Sequence, residues 1–207
     1  MRRLLKRNRS CNTCGLLTAV LLWTADAHAT PQATGHVRYQ DETYSIVERK
    51  GELPSPGSFG IQAASISTAM RSGYYSDYSV IDGQFLLSKM LVKSATDEYP
   101  IINGVEAEVD CSEIRGETHC SPGVYNDLNL PVPFTGKIRI ARGFIEDCYD
   151  HRQAEPQMFE EVLDLTFEDG TIVEARDRSK EVQSIQAHFV SRTECRRRLP
   201  LKLAPLE

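Results

Sequence analysis

The chain is poor in the features that announce an activity. It has no surplus of positive charge, with 24 Lys and Arg against 29 Asp and Glu. Nucleic acid and anionic membranes need a basic face, so neither is expected as a partner. No G-x-S-x-G occurs, which removes the nucleophile elbow of an α/β-hydrolase. No D-x-D-x-D-G loop occurs, which removes an EF-hand calcium site. There is one tryptophan, Trp23. Long apolar runs are missing except at residues 15–25, GLLTAVLLWTA. Eleven residues rise only about 16 Å as a helix, against a hydrocarbon core of roughly 30 Å, so no stable membrane anchor is expected. No internal repeat and no long linker is visible.

What is present begins with an address. Arg2, Arg3, Lys6, Arg7 and Arg9 precede the apolar run without an acid, and Ala27-His28-Ala29 follows it. A basic start, a short apolar stretch and A-x-A together predict a secretory signal peptide over residues 1–29, cleaved after Ala29. The C-x-x-C formed by Cys11 and Cys14 lies inside it. That spacing suits redox dithiols and half of many zinc sites. Here it falls in a segment destined for removal and has no further ligands beside it. Arg2-Arg3-Leu4-Leu5 leaves Sec and twin-arginine export both open. The expected location is periplasmic or secreted, from a bacterium.

Without residues 1–29 the chain keeps 19 of its 24 basic and 28 of its 29 acidic residues, a net of −9. That balance favours a basic protein partner or a cation, and it also keeps a protein soluble. The remaining cysteines are Cys111, Cys120, Cys148 and Cys195. An even count in an exported chain predicts two disulfides. Cys111–Cys120 and Cys148–Cys195 is the favoured pairing, because the first pair closes a short loop around Gly116. Such loops contribute about 3 and about 4 kcal/mol in the chain-entropy model. A metal site using these cysteines and His119 is the rival.

Strand and turn signals dominate. Residues 36–39 and 44–47 flank Gln40-Asp41-Glu42-Thr43 as a first hairpin. Residues 51–60, with two Pro and three Gly, form a loop. Asp82-Gly83 between residues 78–81 and 84–87 is a strong hairpin signal, and residues 89–92 extend its second strand. Residues 105–109 alternate as a half-buried strand, and residues 121–135 are loop or edge. Residues 137–142 alternate with Ile138 and Ile140 inward. Asp169-Gly170 joins residues 163–168 to 171–176 as another hairpin. Val182, Ile185 and Phe189 predict one helix with Ser179 as N-cap. Residues 199–207 form an extended tail whose Leu199, Leu201 and Leu203 lie against the body. The predicted fold is a single, mainly β, antiparallel domain over residues 30–207: a meander, small barrel or sandwich of hairpins with one short C-terminal helix.

Five segments follow one another in order: YQDETYSI at 39–46, STAMRSGY at 67–74, YSVIDGQFLL at 78–87, FTGKIRI at 134–140 and LDLTFEDG at 163–170. This series resembles a group of small uncharacterised bacterial proteins. Their pattern runs Y-x-G-x-x-Y-x-L, R-G-Y-x-x-x-W-x-I-x-x-x-x-L-x-L, W-F-S/T-G-x-L-R-I and L-x-x-x-x-x-G. The resemblance spans residues 37–176. Ser72 interrupts its Arg-Gly, Tyr78 stands for its Trp, and Phe134-Thr135 stands for its Trp-Phe. It implies a β-rich fold and supplies no catalytic residues.

Three groups of side chains are candidates for function. Glu146, Asp147, Asp150 and His151 are the densest collection of cation ligands, though an exposed acidic turn beside a disulfide at Cys148 is the favoured account of them. A Ser/His/Asp hydrolase would need one of His36, His119, His151 or His188 as base. Glu160-Glu161 on a strand point to opposite faces and make a poor acid–base pair. Tyr74, Tyr75 and Tyr78 form a cluster suited to a binding face; the favoured rival is plain strand alternation, with Tyr74 and Tyr78 sharing a sheet face with Val80 and one or more of them buried. Arg196-Arg197-Arg198 suits a solvated or intramolecular role. No cofactor and no metal is expected. The leading expectation is a periplasmic, non-enzymatic protein-binding module, inhibitor or immunity-like, whose partner is a basic periplasmic or cell-wall-acting protein. The alternative is a hydrolase or metal-dependent enzyme.

Overall fold

A computed structural model describes residues 35–145, 155–187 and 203–206. Within them the chain is mainly β. The strands are β1 (His36–Tyr39), β2 (Glu42–Lys50), β3 (Tyr74–Ile81), β4 (Gln84–Val92), β5 (Cys111–Ile114), β6 (Glu117–Cys120), β7 (Gly123–Tyr125), β8 (Leu130–Pro131), β9 (Gly136–Phe144), β10 (Phe159–Glu168) and β11 (Thr171–Asp177). One helix, α1 (Ser179–Gln186), follows them. No described helix is long and apolar enough to cross a membrane.

The main sheet runs β11-β10-β9-β2-β1-β3-β4-β7, with β8 also on β4. Its pairs are antiparallel except β1 with β3, which run parallel at Val37–Tyr78 and Arg38–Ser79. The sheet curls until β11 meets β4 at Thr171–Gln84. That closure joins the two Asp-Gly hairpins. The Phe85 N–H donates to the Gly170 carbonyl (2.7 Å), and the Ile172 N–H donates to the Gly83 carbonyl (2.9 Å). Asp82, Gly83, Asp169 and Gly170 all have positive φ, as type I′ turns require. The first hairpin uses only Gln40-Asp41 as its turn, both at positive φ, so β2 starts at Glu42 rather than Tyr44.

The curled sheet encloses an aromatic and aliphatic core. Tyr78, Phe85, Phe134 and Phe167 pack with centroids 4.7–5.8 Å apart. Ile138, Ile140, Leu165, Leu87 and Val37 fill the space around them. Ile138 and Ile140 face inward as their alternation predicts, yet their neighbours are buried too. Arg139 has no solvent exposure. On the outer face it donates to Asp164 through Nε (2.6 Å) and Nη2 (2.9 Å), and to Glu48 through Nη1 (2.6 Å). Arg178 adds a bond to Asp164 of 3.0 Å. Val182 of α1 and Leu203 of the tail bury against the same outer face with Ala141 and Val162. The Leu206 N–H donates to Glu48 (2.9 Å). Breaking such a buried pair costs about 3–5 kcal/mol, because the remaining charge is stranded.

Some local readings need correction. Residues 105–109 alternate in burial but contribute only isolated bridges, Ile102–Val105 and Glu108–Val124. Their chain lies along the sheet, with Val105 and Ala107 on the core, instead of joining the ladder. Residues 121–135 hold two short strands, β7 and β8, on β4. Ser179 is the first helical residue, not the cap. Its hydroxyl accepts the Val162 N–H (3.1 Å), while Asp177 accepts the Ser179 N–H (2.8 Å). Phe189, Leu199 and Leu201 lie outside the described residues; Leu203 is buried, as the tail reading expects.

Candidate functional site

Alternation along β3 places Tyr74, Ser76, Tyr78 and Val80 on the core side. They pair with Val92, Met90, Leu87 and Phe85 of β4. The partner positions change from even to odd because Ser88 is an extra residue between the Asp77–Lys89 and Tyr78–Leu87 pairs, a β-bulge. On β2 a second bulge, at Val47, does the same. Tyr44 and Ile46 face the core before it. After it Glu48 turns out to Arg139, and Arg49 stands beside Ile138 on the inner side. At the start of β3 these elements border a groove of about 230 Å³. Its lining comprises Tyr74, Tyr75, Tyr78, Ser72, Ser76 and Arg49, with Gly35, Ile46, Leu53 and Pro54 as the apolar wall. The chain enters at Gly35, where any Cβ would lie 1.8 Å from the Ser76 carbonyl. Only glycine passes there.

The polar groups of this groove are under-used. Ser76 is 5% exposed, and its hydroxyl sits in hydrogen-bond geometry with no group among the described residues, although it lies near enough to the Tyr78 phenol to influence it. The phenols of Tyr74 and Tyr75 make no hydrogen bond among the described residues, and Arg49 has no carboxylate partner there. By contrast Arg38, Arg139, Arg142, Arg176 and Arg178 each pair with an acid. Burial pushes the Tyr78 phenol up to about 12. The Ser76 hydroxyl and Arg49 oppose that rise, while Tyr74 and Asp77 add to it. Tyr78 stays a neutral hydrogen-bond donor across the physiological range.

A second, larger cleft of about 510 Å³ lies on the outer face of β1, β3 and β4. His36 and Asp77 meet there across the parallel pair, with Nδ1 to Oδ1 at 3.0 Å. The same oxygen accepts the His36 N–H at 3.1 Å. The bond to Asp77 raises the imidazole above its usual 6.5, against some loss from burial. Ser79 and Ser88 line this cleft, but the Ser88 hydroxyl donates to Ser79 (2.7 Å). An Asp–His pair is half of a nucleophile-activating triad. The hydroxyls beside it are engaged with each other.

Sequence-predicted sites fall as follows. Cys111 and Cys120 face each other across the β5–β6 hairpin with their sulfurs at disulfide distance. Arg115-Gly116 makes the turn, both at positive φ. Glu146, Asp147, Cys148, Asp150, His151, His188, Cys195 and the Arg196–Arg198 run lie outside the described residues. His119 is exposed beside Glu117, and no three His, Cys, Asp or Glu side chains converge on a point among the described residues. Glu160 and Glu161 divide as expected: Glu160 is exposed, whereas Glu161 accepts the buried Tyr44 hydroxyl (2.9 Å). Tyr74, Tyr75 and Tyr78 come together at one groove. Arg49, Ser76 and the His36–Asp77 pair are the additions. A bulge and a long-range parallel pairing bring them into place, and no local sequence signal marks either.

Compared with protein-family models, with curated proteins and with solved structures, the chain matches none.

Proposed function

We propose that this protein is an exported, disulfide-stapled binding module. It engages a protein partner through the groove bordered by Tyr74, Tyr75 and Tyr78. The observation that carries the reading is a concave, tyrosine-lined surface whose Tyr74 and Tyr75 phenols and Arg49 guanidinium meet no acceptor among the described residues. Tyrosine supplies contact area and a hydrogen bond at low entropic cost, as interfaces require. The basic, apolar, A-x-A start of the chain supports export, and the Cys111–Cys120 pairing suits an oxidising compartment. The acidic balance of residues 30–207 favours a basic partner by long-range attraction.

The test is capture from periplasmic extract on immobilised protein spanning residues 30–207, with eluates identified by mass. A specific partner should be retained, be released by raising salt to about 0.5 M, and be lost with Tyr74→Ser/Tyr75→Ser. Retention unaffected by that double variant would overturn the site. A hydrolase is the second reading, and the His36–Asp77 pair favours it. Ester turnover abolished by His36→Gln, together with phosphonate labelling at Ser79 or Ser88, would establish it in place of the first.

A further inference from the structure

The groove at the start of β3 has a more specific chemistry than a general contact face. Its polar side chains can all donate: the Arg49 guanidinium, which only donates, and the hydroxyls of Ser72, Ser76, Tyr74, Tyr75 and Tyr78, which donate or accept. No carboxylate lines it, in a chain where acids outnumber bases. Ser72 alone is engaged, donating to the Tyr74 carbonyl (3.0 Å). Ser76 is more than nine-tenths buried at its floor, beside the Tyr78 phenol, and completes no hydrogen bond among the described residues. A buried hydroxyl left without a good partner costs about 1–3 kcal/mol, so its retention points to a polar group that arrives from outside, and the neighbouring guanidinium selects an acceptor.

We propose that this groove binds a carboxylate group of a peptide, with Arg49 as the charged partner and Ser76, Tyr74 and Tyr78 as neutral donors. One guanidinium offers the planar two-point match that a carboxylate needs. A phosphate dianion calls for more than a single cation. The volume, about 230 Å³, lies below the roughly 300–1,000 Å³ of small-molecule pockets and suits a side chain or chain terminus. Ile46, Leu53, Pro54 and the tyrosine rings supply the apolar wall for the aliphatic part of such a group. The inference rests on the binding-module reading and names the anchor of its partner. The net negative charge of residues 30–207 favours a partner that is basic overall, and the groove takes one carboxylate from it.

The probes are short peptides titrated into labelled protein spanning residues 30–207, followed by NMR at the Arg49 side chain and the Ser76 and Tyr78 amides. Acetyl-Ala-Ala-Ala with a free terminus is compared with its C-terminal amide, with acetyl-Ala-Glu-Ala-amide and with acetyl-Ala-Lys-Ala-amide. The carboxylate-bearing peptides should bind at least tenfold more tightly than the neutral and basic amides. Binding of the free acid alone assigns a chain terminus; binding of the glutamyl peptide as well assigns any carboxylate. Arg49→Gln should abolish the preference, Arg49→Lys should keep part of it, and Tyr74→Phe should weaken binding severalfold. Equal affinity for acid and amide, or an unchanged preference in Arg49→Gln, would overturn the proposal. A partner captured by the Tyr74/Tyr75 surface but indifferent to Arg49→Gln would leave the binding module standing and remove the carboxylate anchor. Selective peptide binding without any captured partner would do the reverse.

Discussion

At its turn the β3–β4 hairpin is locked to the β10–β11 hairpin by two reciprocal backbone bonds, with Phe85, Phe134 and Phe167 packed behind them. At its root, about 23 Å away along β3, Tyr74, Ser76 and Arg49 surround an opening and leave their polar side-chain atoms without a well-formed hydrogen bond or ion pair among the described residues. The same pair of strands therefore ends in two opposite ways. The turn end satisfies its backbone groups and fills its volume with aromatic rings. The root end keeps a buried hydroxyl, half-buried phenols and a guanidinium where apolar side chains would pack at less cost. A chain able to seal one end with phenylalanine has the means to seal the other. The difference between the ends is the physical ground for assigning function to the root.

The largest effect should come from opening the sealed end. Phe134 is 2% exposed and touches both Phe85 and Phe167. Phe134→Ala should cost about 3–5 kcal/mol, read as a lower denaturant midpoint. A loss below about 1 kcal/mol would mean that this end is loosely packed, and the contrast would fail.

The two turn glycines sharpen the contrast next. Both have positive φ, 79° at Gly83 and 77° at Gly170. A Cβ at Gly83 would meet only Ile172 at 3.8 Å, whereas one at Gly170 would lie 2.4 Å from the Val132 carbonyl. Gly83→Ala should cost about 1 kcal/mol from backbone conformation alone. Gly170→Ala should cost about 3 kcal/mol, since the β8–β9 connection must move as well. Equal losses in thermal unfolding would show that the β8–β9 connection yields freely and that this end is less tightly packed than the contrast requires.

Much of this sealed end was legible in the sequence. Asp82-Gly83 and Asp169-Gly170 are local signals, because a type I′ turn is specified by the two residues that form it. The inward Ile138 and Ile140 follow from alternation. The root was only partly legible. Tyr74 and Tyr78 share a face by simple period two. Arg49 could not be placed, because strict alternation from Tyr44 and Ile46 sends Glu48 and Lys50 inward, and the bulge at Val47 reverses the faces. Arg139 was hidden for another reason. Its burial depends on α1 and the tail covering the second face of the sheet, which is a tertiary event. The His36–Asp77 pair depends on a parallel contact between strands 41 residues apart.

A smaller effect lies midway along β3, where Asp77 meets His36 of β1. Asp77 raises the native imidazole above its unfolded value of 6.5. Stability from this pair is therefore fully present below about pH 6.5 and is lost as pH rises through the raised native value. The ring is 46% exposed, so solvent screening limits the gain to less than about 1 kcal/mol. The stability difference between the wild type and His36→Gln should be larger at pH 5.5 than at pH 8.5. A difference that grows with rising pH would contradict the pairing.

The smallest effect on stability should be the most informative. Arg49 is exposed and pairs with no acid among the described residues. Arg49→Gln should shift unfolding by no more than about 0.5 kcal/mol in either direction, as surface substitutions do. A residue kept for the fold would show its loss in the denaturant midpoint. One kept for a ligand shows it only when the ligand is added. Near-zero change in stability combined with loss of peptide binding would place Arg49 wholly on the functional side of the comparison. A loss of 2 kcal/mol or more would move it to the structural side, and the root of the hairpin would then be a second closed end.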